Sequence, residues 1–415
     1  MRVLGLIVEY NPFHNGHLYH LEQAKSLCNA DYVLCVMSGN YIQRGEPAIV
    51  NKWARAKMAL QCGVDLVIEL PVPYAMSSAE FFAYGAVKIL NDIGVVDYLC
   101  FGSETADINT FDIIADILVS EPESYKNVLK QELGKGKSFP SARETALKSF
   151  LSEKGTDISD FEAVIGSSNN ILGIEYIKAL KRLKSRINPV TIKRINNSYN
   201  SEEITGSISS ATSIRKLIQT QKSQLDAVLP ANCLNILEEE FNAGRGPIFP
   251  NNYELLILSN IRRMTKEEIR MLPYVSEGME NRIKDAAENS GTWDELIEKI
   301  CTRRYTRTRV QRILTGIMTG LTSVDFDNLN KFGGPQYARV LGLNNKGRQL
   351  LSYMNKVSRI PIITKTADFT NSCNLLLRKM LKIEAFATDM YVLGYQNPLY
   401  RKAGQEFTQN VIVIK

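Results

Sequence analysis

The first twenty residues, MRVLGLIVEYNPFHNGHLYH, place a buried-strand pattern directly before a helix that begins in a cluster of histidines. Val3–Val8 is a continuous apolar run, which is typical of a strand buried on both faces of a parallel sheet. Gly16–Leu27 follows with apolar residues at helical spacing. A helix that begins right after such a strand presents free N–H groups and a partial positive charge. The stretch therefore predicts an open α/β sheet with an anion site at the carboxyl end of its first strand.

The same alternation continues along the chain. Apolar strand patterns recur at Tyr32–Met37, Val64–Leu70, Tyr98–Phe101 and Pro189–Ile195, and helical patterns at Lys52–Cys62, Ser77–Leu90 and Asn169–Leu183. Strands that alternate with helices predict a doubly wound parallel, Rossmann-like sheet in a domain of residues 1–220, with a helical, lysine-rich insertion at 105–160. We expect residues 221–330 to form a mostly helical, basic domain. Residues 331–415 are expected to form a small mixed α/β C-terminal domain.

Charge is distributed unevenly over the 415 residues, whose net charge is +6. Residues 1–300 carry 32 Lys/Arg and 38 Asp/Glu, whereas residues 301–415 carry 18 and 6, so we expect the C-terminal part to meet a polyanion, nucleic acid first. The seven cysteines are scattered without a CxxC pair, which favours reduced core cysteines over a zinc site or a disulfide framework. No apolar run reaches the roughly 18 residues of a spanning helix, which predicts a cytoplasmic protein without a membrane partner.

The three histidines of the chain, His14, His17 and His20, lie within seven residues. Core packing would scatter them, and a zinc site would need a completing cysteine or carboxylate cluster, so we expect no metal site here. At a helix start, imidazoles can donate hydrogen bonds to phosphoryl oxygens as charge builds during attack on an α-phosphate. Gly16 lets a nucleotide lie against the backbone. His14 and His17 are therefore the predicted catalytic pair of an ATP-using enzyme.

Two short motifs support this prediction by resemblance. HNGH at 14–17 resembles the HxGH signature of nucleotidylyltransferases and class I synthetases, which share the HUP nucleotide-binding fold. ISSATSIR at 208–215 resembles the ISSTxIR motif that closes the nucleotidylyltransferase core, and it assigns the β- and γ-phosphates to Ser209, Ser210, Thr212 and Arg215. A Ser/Thr-rich N-cap explains the same residues, and both interpretations stand because a capped helix start is also an anion site. A KMSKS loop is missing, which favours the nucleotidylyltransferase branch.

Polar residues at the ends of the other predicted strands are further candidates. Gly102 would let adenosine approach the sheet edge, or would simply form a turn. Asn169 lies at a helix start, where it either caps the helix or reads the nucleotide, and Arg194 ends a strand where a phosphate would lie. Lys52 and Arg55 could bind an acyl or phosphate group, although solvated surface charge is the default expectation for each.

Five arginines fall within ten residues, beside Tyr305 and with no acid among them: Arg303, Arg304, Arg307, Arg309 and Arg312. A solvated face normally mixes charges of both signs. Guanidinium groups recognise phosphates, and tyrosine stacks on exposed bases. This run of unpaired arginines therefore predicts RNA binding.

Longer motifs spread over most of the chain resemble one family. VEYNPFHNGHLYH at 8–20, QRGEP at 43–47, FGSE at 101–104, NNILGIEY at 169–176, PVTIKR at 189–194 and RYTR at 304–307 together are similar to bacterial tRNA(Met) cytidine acetate ligases. The resemblance implies that acetate attacks the α-phosphate of ATP, giving acetyl-adenylate and pyrophosphate. The acetyl group then passes to N4 of the wobble cytidine of elongator tRNA(Met), which gives N4-acetylcytidine. ATP would be accompanied by Mg²⁺.

The resemblance also implies which residues bind ATP. They are a run at the start of the chain and four later positions: Ile7, Val8, Glu9, Tyr10, Asn11, Pro12, Phe13, His14, Asn15, Gly16, His17, Leu18, Tyr19, His20, Gly102, Asn169, Arg194 and Ile195. An adenylate is a reactive mixed anhydride, so the cytidine amine can displace AMP without a covalent enzyme intermediate. The wobble base must first be splayed from the anticodon stack.

Two other functions explain part of the sequence. A small-molecule adenylyltransferase of the mononucleotide or phosphopantetheine type would use HNGH and ISSATSIR, but it leaves nearly 200 C-terminal residues and the net charge of +12 of residues 301–415 unexplained. A non-catalytic RNA-binding protein on a retired nucleotide fold would not be expected to keep both signature histidines. The ligase is therefore the leading hypothesis.

Overall fold

Parallel strands dominate the central sheet of the computed structural model, which describes residues 1–156, 161–194, 209–220 and 224–415. The described strands are β1 (Val3–Val8), β2 (Tyr32–Ser38), β3 (Tyr41–Ile42), β4 (Glu46–Pro47), β5 (Leu66–Leu70), β6 (Tyr98–Ser103), β7 (Asn188–Lys193), β8 (Ala338–Leu343), β9 (Ile362–Ile363) and β10 (Ile412–Val413). Strands β3 and β4 form a separate antiparallel hairpin.

The first strand lies where the order of the sheet reverses. The order is β10-β8-β5-β2-β1-β6-β7, and β1 pairs in parallel with β2 on one side and with β6 on the other. Crevices at such a reversal are where open α/β sheets bind their ligands. The prediction of a doubly wound parallel sheet is therefore confirmed, with a ligand crevice expected at the carboxyl end of β1.

The C-terminal strands belong to the same sheet. Strand β8 pairs antiparallel with β5, and β9 and β10 pair in parallel with β8. The sequence predicted a mixed α/β region here but not the partners of its strands, because strand pairing depends on contacts between residues far apart in the chain. The three-part division at residues 220 and 330 stays a prediction, but its third part shares the sheet of its first.

Helices cover both faces of the sheet and form most of the remainder. Their bounds are α1 (Asn15–Leu27), α2 (Lys52–Gln61), α3 (Val72–Ala75), α4 (Ala79–Asp92), α5 (Ile108–Ser120), α6 (Glu123–Gly134), α7 (Phe139–Glu153), α8 (Phe161–Gly166), α9 (Ser168–Arg182), α10 (Ala211–Gln219), α11 (Leu225–Val228), α12 (Ala231–Asn242), α13 (Glu254–Arg263), α14 (Lys266–Arg270), α15 (Met279–Glu288), α16 (Trp293–Ile300), α17 (Arg307–Gly316), α18 (Ser323–Lys331), α19 (Asn345–Val357), α20 (Leu375–Tyr391) and α21 (Gln405–Thr408). Helices α5 to α7 supply the helical sequence predicted between β6 and β7. Among the described helices, none has the length and apolar character needed to cross a bilayer.

Alternate side chains of β1 enter separate apolar cores on the two faces of the sheet. Val3 packs into one core with residues of α4 and α9, and Leu4 and Leu6 pack into the other with residues of α1 and α2. Burial on both faces explains why these strands read as continuous apolar runs. The parallel pairing of β1 with β2 and β6 places the histidine-rich loop at the carboxyl edge of the sheet.

Candidate active site

His14 is the N-cap residue of α1 and stabilises the helix start with its own ring. The residue is extended (φ −139°, ψ 171°), and its Nδ1 accepts a hydrogen bond from the Gly16 N–H at 3.1 Å. Nδ1 of His17 accepts from the His14 N–H at 3.4 Å, and the two rings stack with centroids 3.6 Å apart. Because Nδ1 is the acceptor in each neutral ring, the ring proton lies on Nε2. Each ring therefore offers a ligand one N–H donor.

Burial keeps the three imidazoles uncharged at neutral pH. Burial, with Arg194 and Arg215 nearby, lowers the pKa of His14 to about 3. Burial, with His14 and Arg194 nearby, lowers the pKa of His17 well below its ordinary value. Burial and Arg194 also lower the pKa of His20 to about 4, against a hydrogen bond with the Phe101 backbone. Neutral imidazoles can stabilise a phosphoryl oxygen as charge develops, without having to lose a proton first.

Two arginines bring positive charge to these neutral rings. Arg194 follows β7, and Arg215 lies in α10; both are close enough to His14 to lower its pKa. Nη1 of Arg215 donates to the carbonyl of Asn11 at 3.0 Å, so α10 is joined to the signature loop. The predicted neighbour Ile195 lies outside the described residues. A neutral donor pair flanked by two guanidinium groups suits a triphosphate.

Gly102 faces the same crevice from β6. A Cβ built at this position would lie 3.4 Å from Cγ of Arg194 and 3.6 Å from Cδ2 of His20. Nε2 of His20 is buried and has no hydrogen-bond partner within the described part of the chain. The structure therefore brings Gly102, His20 and Arg194 together beside an unsatisfied acceptor, which a ligand hydroxyl or amino group could satisfy.

Asn169 lies in the first turn of α9, where Glu104, the residue after β6, fixes its side chain. Its Nδ2 donates to Oε1 of Glu104 at 2.6 Å, and Oε2 of Glu104 accepts from the Asn170 N–H at 3.1 Å. The carboxylate of Glu104 therefore satisfies the start of α9, a role that the sequence left open for the asparagine. The contact of Asn169 with a nucleotide stays a prediction.

The predicted phosphate motif at 209–215 begins α10. Ser210 is the N-cap residue, and its Oγ accepts from the Ser213 N–H at 3.1 Å. Oγ of Ser209 is buried without a partner among the described residues, and Thr212 is exposed, with Oγ1 accepting from Arg215 at 3.4 Å. The N-cap interpretation is confirmed. The phosphate interpretation stays a prediction, for which this capped helix start next to the signature is suitable.

The remaining residues of 7–20 divide into lining and packing groups. Ile7, Val8 and Glu9 are only half-buried although β1 is a central strand, which marks an opening at its end. Tyr10 and Phe13 are buried and contact the ring of His17 edge-on, with centroids 4.9 and 5.7 Å away. These two aromatic rings position His17 by packing.

The side chains of other residues in the run make their contacts inside the protein. Oδ1 of Asn11 accepts from the Ile49 N–H at 2.7 Å, and Nδ2 of Asn15 donates to the Ala227 carbonyl at 3.0 Å. Pro12 is buried, Leu18 packs against the core beside α1, and Tyr19 is half-buried. The run thus forms the loop and the helix start, while few of its side chains are free to contact a ligand.

Lys52 and Arg55 are completely buried, so the expectation of solvated charge was wrong for both. Arg55 donates to the backbone carbonyls of Glu9, Ser38, Gly39 and Val50, and so ties the loops after β1 and β2 together. Nζ of Lys52 lies 2.5 Å from Oε1 of Glu69 and 3.3 Å from Oε1 of Glu384, and it also bonds Glu406. Helical spacing did not reveal this burial, because the partners come from β5, α20 and α21.

The ion cluster around Lys52 balances its charges. Arg339 also pairs with Glu69, at 3.0 Å, and with Glu406. Burial and the neighbouring Glu69 raise the pKa of Glu384 to about 8, so Glu384 keeps its proton at neutral pH. Two cations then face two carboxylates. The three glutamates are close enough to share a metal ion, but Lys52 is the cation they surround.

The five arginines of 303–312 do not form one unpaired face. Arg303, Arg304 and Arg307 are exposed, and two of them meet acids from earlier helices or loops: Arg304 pairs with Glu277 at 2.6 Å and Arg307 approaches Asp294 at 3.7 Å. Arg309 donates to the Tyr274 carbonyl, and Arg312 donates to the Gln43 carbonyl at 2.8 Å. The expectation of five unpaired arginines was therefore wrong, since local sequence does not contain the distant partners. RNA binding by this segment stays a prediction, best suited to the three exposed members.

Comparison with known proteins agrees with this arrangement. The family model described as HIGH Nucleotidyl Transferase matches residues 1–406. A tRNA(Met) cytidine acetate ligase of Acetivibrio thermocellus is 62% identical over the whole of both chains, and one of Halothermothrix orenii is 45% identical over 99% of each. The chain belongs to the tRNA(Met) cytidine acetate ligase family. A crystal structure of Thermotoga maritima TmcAL bound with alpha-thio ATP superposes on this member of the ligase family over all of both chains, with a TM-score of 0.94 and 38% identity.

Sequence reasoning missed the partners of Lys52 in this ligase-family chain, Glu69, Glu384, Glu406 and the neighbouring Arg339. Glu69 is the one charged residue of an otherwise apolar strand, LVIEL, and that lone carboxylate was the available signal of a buried partner. Arg339 is likewise the one charged residue of β8, whose sequence is ARVLGL. Charged residues within apolar strands are therefore the positions from which the ion cluster could have been suspected.

Proposed function

We propose that this chain activates acetate with ATP and acetylates N4 of the wobble cytidine of elongator tRNA(Met). The observation that carries the proposal is the pair of neutral, stacked imidazoles of His14 and His17, each with Nδ1 bonded to the helix start and Nε2 available as a donor. Membership of the ligase family supports the choice of acetate and of tRNA. A cytoplasmic location, where tRNA, ATP and acetate meet, is part of the proposal.

The first step joins acetate to AMP. An acetate oxygen attacks the α-phosphorus, and pyrophosphate leaves with the electron pair of the broken P–O bond. His14 and His17 would donate to the oxygens on which charge accumulates, and Arg194 and Arg215 would offset the charge of the polyphosphate. Gly102, His20 and Asn169 would face the adenosine on the β6 side of the crevice. The predicted phosphate ligands Ser209, Ser210 and Thr212 would close the site from α10.

Magnesium is expected to enter with ATP on its phosphates. Divalent magnesium keeps several waters and typically uses substrate phosphates with one or two carboxylates. The three glutamates that lie close enough to share a cation already surround Lys52. We therefore assign the ion to ATP rather than to a resident site, and its contribution would be to neutralise phosphate charge.

The second step transfers the acetyl group to RNA. The exposed arginines Arg303, Arg304 and Arg307 would contact tRNA phosphates, which positions the anticodon loop without reading its sequence. The cytidine amine then displaces AMP from the mixed anhydride. Arg309 and Arg312 would contribute through the protein scaffold, since both donate to backbone carbonyls.

A labelled-acetate assay tests the proposal. Purified protein is incubated with labelled acetate, ATP, Mg²⁺ and elongator tRNA(Met), and nucleosides are analysed for N4-acetylcytidine, while acetate-dependent ATP–pyrophosphate exchange is followed separately. We expect exchange without tRNA and labelled N4-acetylcytidine with it. A protein that catalyses neither reaction would refute the ligase, and exchange supported by another small substrate instead of acetate would favour an adenylyltransferase.

A further inference from the structure

The two sides of the crevice carry different kinds of groups. Gly102 in β6 and Arg194 after β7 lie to one side of β1, whereas the hairpin β3–β4 follows β2 on the other side. A nucleotide that occupies the β6 side leaves the hairpin side open to whatever attacks the adenylate. Groups on the hairpin side are therefore the candidates for contact with the acceptor.

Glu9 is a carboxylate on this hairpin side. It follows β1 directly, is half-buried, and its Oε1 accepts from the Gln43 N–H at 2.8 Å. ATP and acetate are both anions, so a carboxylate beside the signature opposes the binding of either one unless it has another task. Its position at the mouth of the crevice makes contact with a neutral amine chemically favourable.

Charged groups from several elements surround Glu9. Arg44 of the hairpin, Arg55 of α2, Arg215 of α10 and Arg312 of α17 are near enough to interact with it electrostatically, and so is Tyr176 of α9. Burial raises the pKa of Glu9, and the Gln43 N–H with Arg215, Arg44 and Arg55 opposes that rise without cancelling it. A carboxylate whose pKa lies nearer the working pH is a better general base than an ordinary one.

Hydrogen bonds join Glu9 to the basic segment. Nε of Arg312 donates to the Gln43 carbonyl at 2.8 Å, and the backbone N–H of Gln43 donates to Oε1 of Glu9. Oγ1 of Thr315 donates to the Gly45 carbonyl at 2.7 Å. Gly45 has φ +77°, and a Cβ there would lie 2.3 Å from the backbone nitrogen of Arg312, so only glycine permits this approach. The helix that begins with the exposed Arg307 thus fixes the hairpin that orients Glu9.

We propose that Glu9 receives the acceptor amine: its carboxylate accepts a hydrogen bond from the exocyclic N4 amino group of cytidine and takes one N4 proton during acetyl transfer. This inference rests on the proposed function. The N4 lone pair forms the bond to the acetyl carbonyl carbon, the bond from that carbon to the adenylate oxygen breaks, AMP leaves with its electron pair, and the N4 proton moves to an Oε of Glu9. Carboxylates are the usual side-chain partners of cytosine N4, so the same contact would favour cytidine over uridine.

Glu9→Gln separates this role from adenylation. Glutamine keeps the shape of the side chain and an oxygen for the Gln43 N–H, but it cannot take a proton. We expect single-turnover transfer from pre-formed acetyl-adenylate to tRNA(Met) to fall at least about 10²-fold further than acetate-dependent ATP–pyrophosphate exchange does. Glu22→Gln, on the exposed side of α1, is the matched control and should leave both rates unchanged.

Two further readouts make the test decisive. Wild-type transfer should slow as the pH falls through the pKa of Glu9, because the base must be ionised, and Glu9→Gln should lack this limb. Glu9→Asp should restore part of the transfer rate, and thermal melting would verify that each variant is folded. Loss of exchange together with transfer in folded Glu9→Gln, or unchanged transfer, would overturn the inference. A wild-type protein that performs neither reaction would instead refute the proposed function on which it rests.

Discussion

The histidine cluster of α1 and the ion cluster around Lys52 both bury titratable groups near the carboxyl edge of the sheet. The histidines are neutral there, whereas Lys52 is charged. The histidines have cations as neighbours, and the pKa of His14 falls to about 3. Burial alone would also lower the pKa of Lys52, but Glu406, Glu69 and Glu384 outweigh it and raise that pKa. Burial thus removes a charge that has no opposite partner and preserves one that has. The first outcome provides neutral donors for chemistry, and the second joins the C-terminal elements to the N-terminal sheet.

The largest expected effect comes from removing the cation of the ion cluster. Lys52→Met leaves Glu69 and Glu406 with Arg339 as their remaining close cation, and breaking a buried ion pair in this way typically costs about 3–5 kcal/mol of unfolding free energy. Lys57→Met is the matched control in the same helix, because Lys57 makes an exposed pair with Glu239 at 2.8 Å and should cost under about 1 kcal/mol. Denaturant unfolding of both variants measures the difference. Equal losses would mean that Lys52 is not stabilised by its cluster.

The same contrast explains how much the sequence could predict. The strands around β1, the helix start at His14 and the cap at Ser210 follow from local patterns, because burial on both faces and capping each leave a short-range signature. The pairing of β8 with β5 and the burial of Lys52 could not be predicted, because β8 and two of the three partners of Lys52, Glu384 and Glu406, are more than 250 residues away along the chain. The partners of the exposed Arg304 and the half-buried Arg312, Glu277 and Gln43, likewise lie outside the local sequence.

The next largest effect comes from changing a residue of the neutral histidine cluster. His17→Ala removes one N–H donor from the crevice, and we expect acetate-dependent ATP–pyrophosphate exchange to fall by about 10²–10³-fold, as for other donors that stabilise developing charge. His17→Gln keeps a neutral N–H donor on a side chain of similar reach and should recover part of the loss. Binding of tRNA(Met), measured by filter retention, should be unchanged in both. A His17→Gln variant no better than His17→Ala would argue against a donor role.

The smallest expected effect is on tRNA binding and comes from exposed arginines, which differ from both the neutral histidines and the buried ion cluster. Reversing Arg304 and Arg307 together to glutamate should weaken tRNA(Met) binding by about tenfold or more at low salt and reduce its salt dependence, because phosphate contacts release counterions. The exchange reaction should be unaffected, since both side chains are exposed outside the crevice. The matched variant Lys25→Glu, on the exposed surface of α1, should leave binding nearly unchanged. Binding that is insensitive to the double reversal would exclude this segment from the RNA interface.

The charge state of the signature histidines can be measured directly, because the chain contains three histidines and all of them lie in the crevice. In ¹⁵N-histidine-labelled protein, long-range ¹H–¹⁵N spectra distinguish the two neutral tautomers from the imidazolium ion. We expect neutral rings with the proton on Nε2 for His14 and His17, and no titration of any of the three between about pH 5.5 and 8, where an ordinary histidine changes charge. Signals that move with a pKa near the ordinary value of about 6.5 would show charged imidazoles and contradict the proposed role of neutral donors.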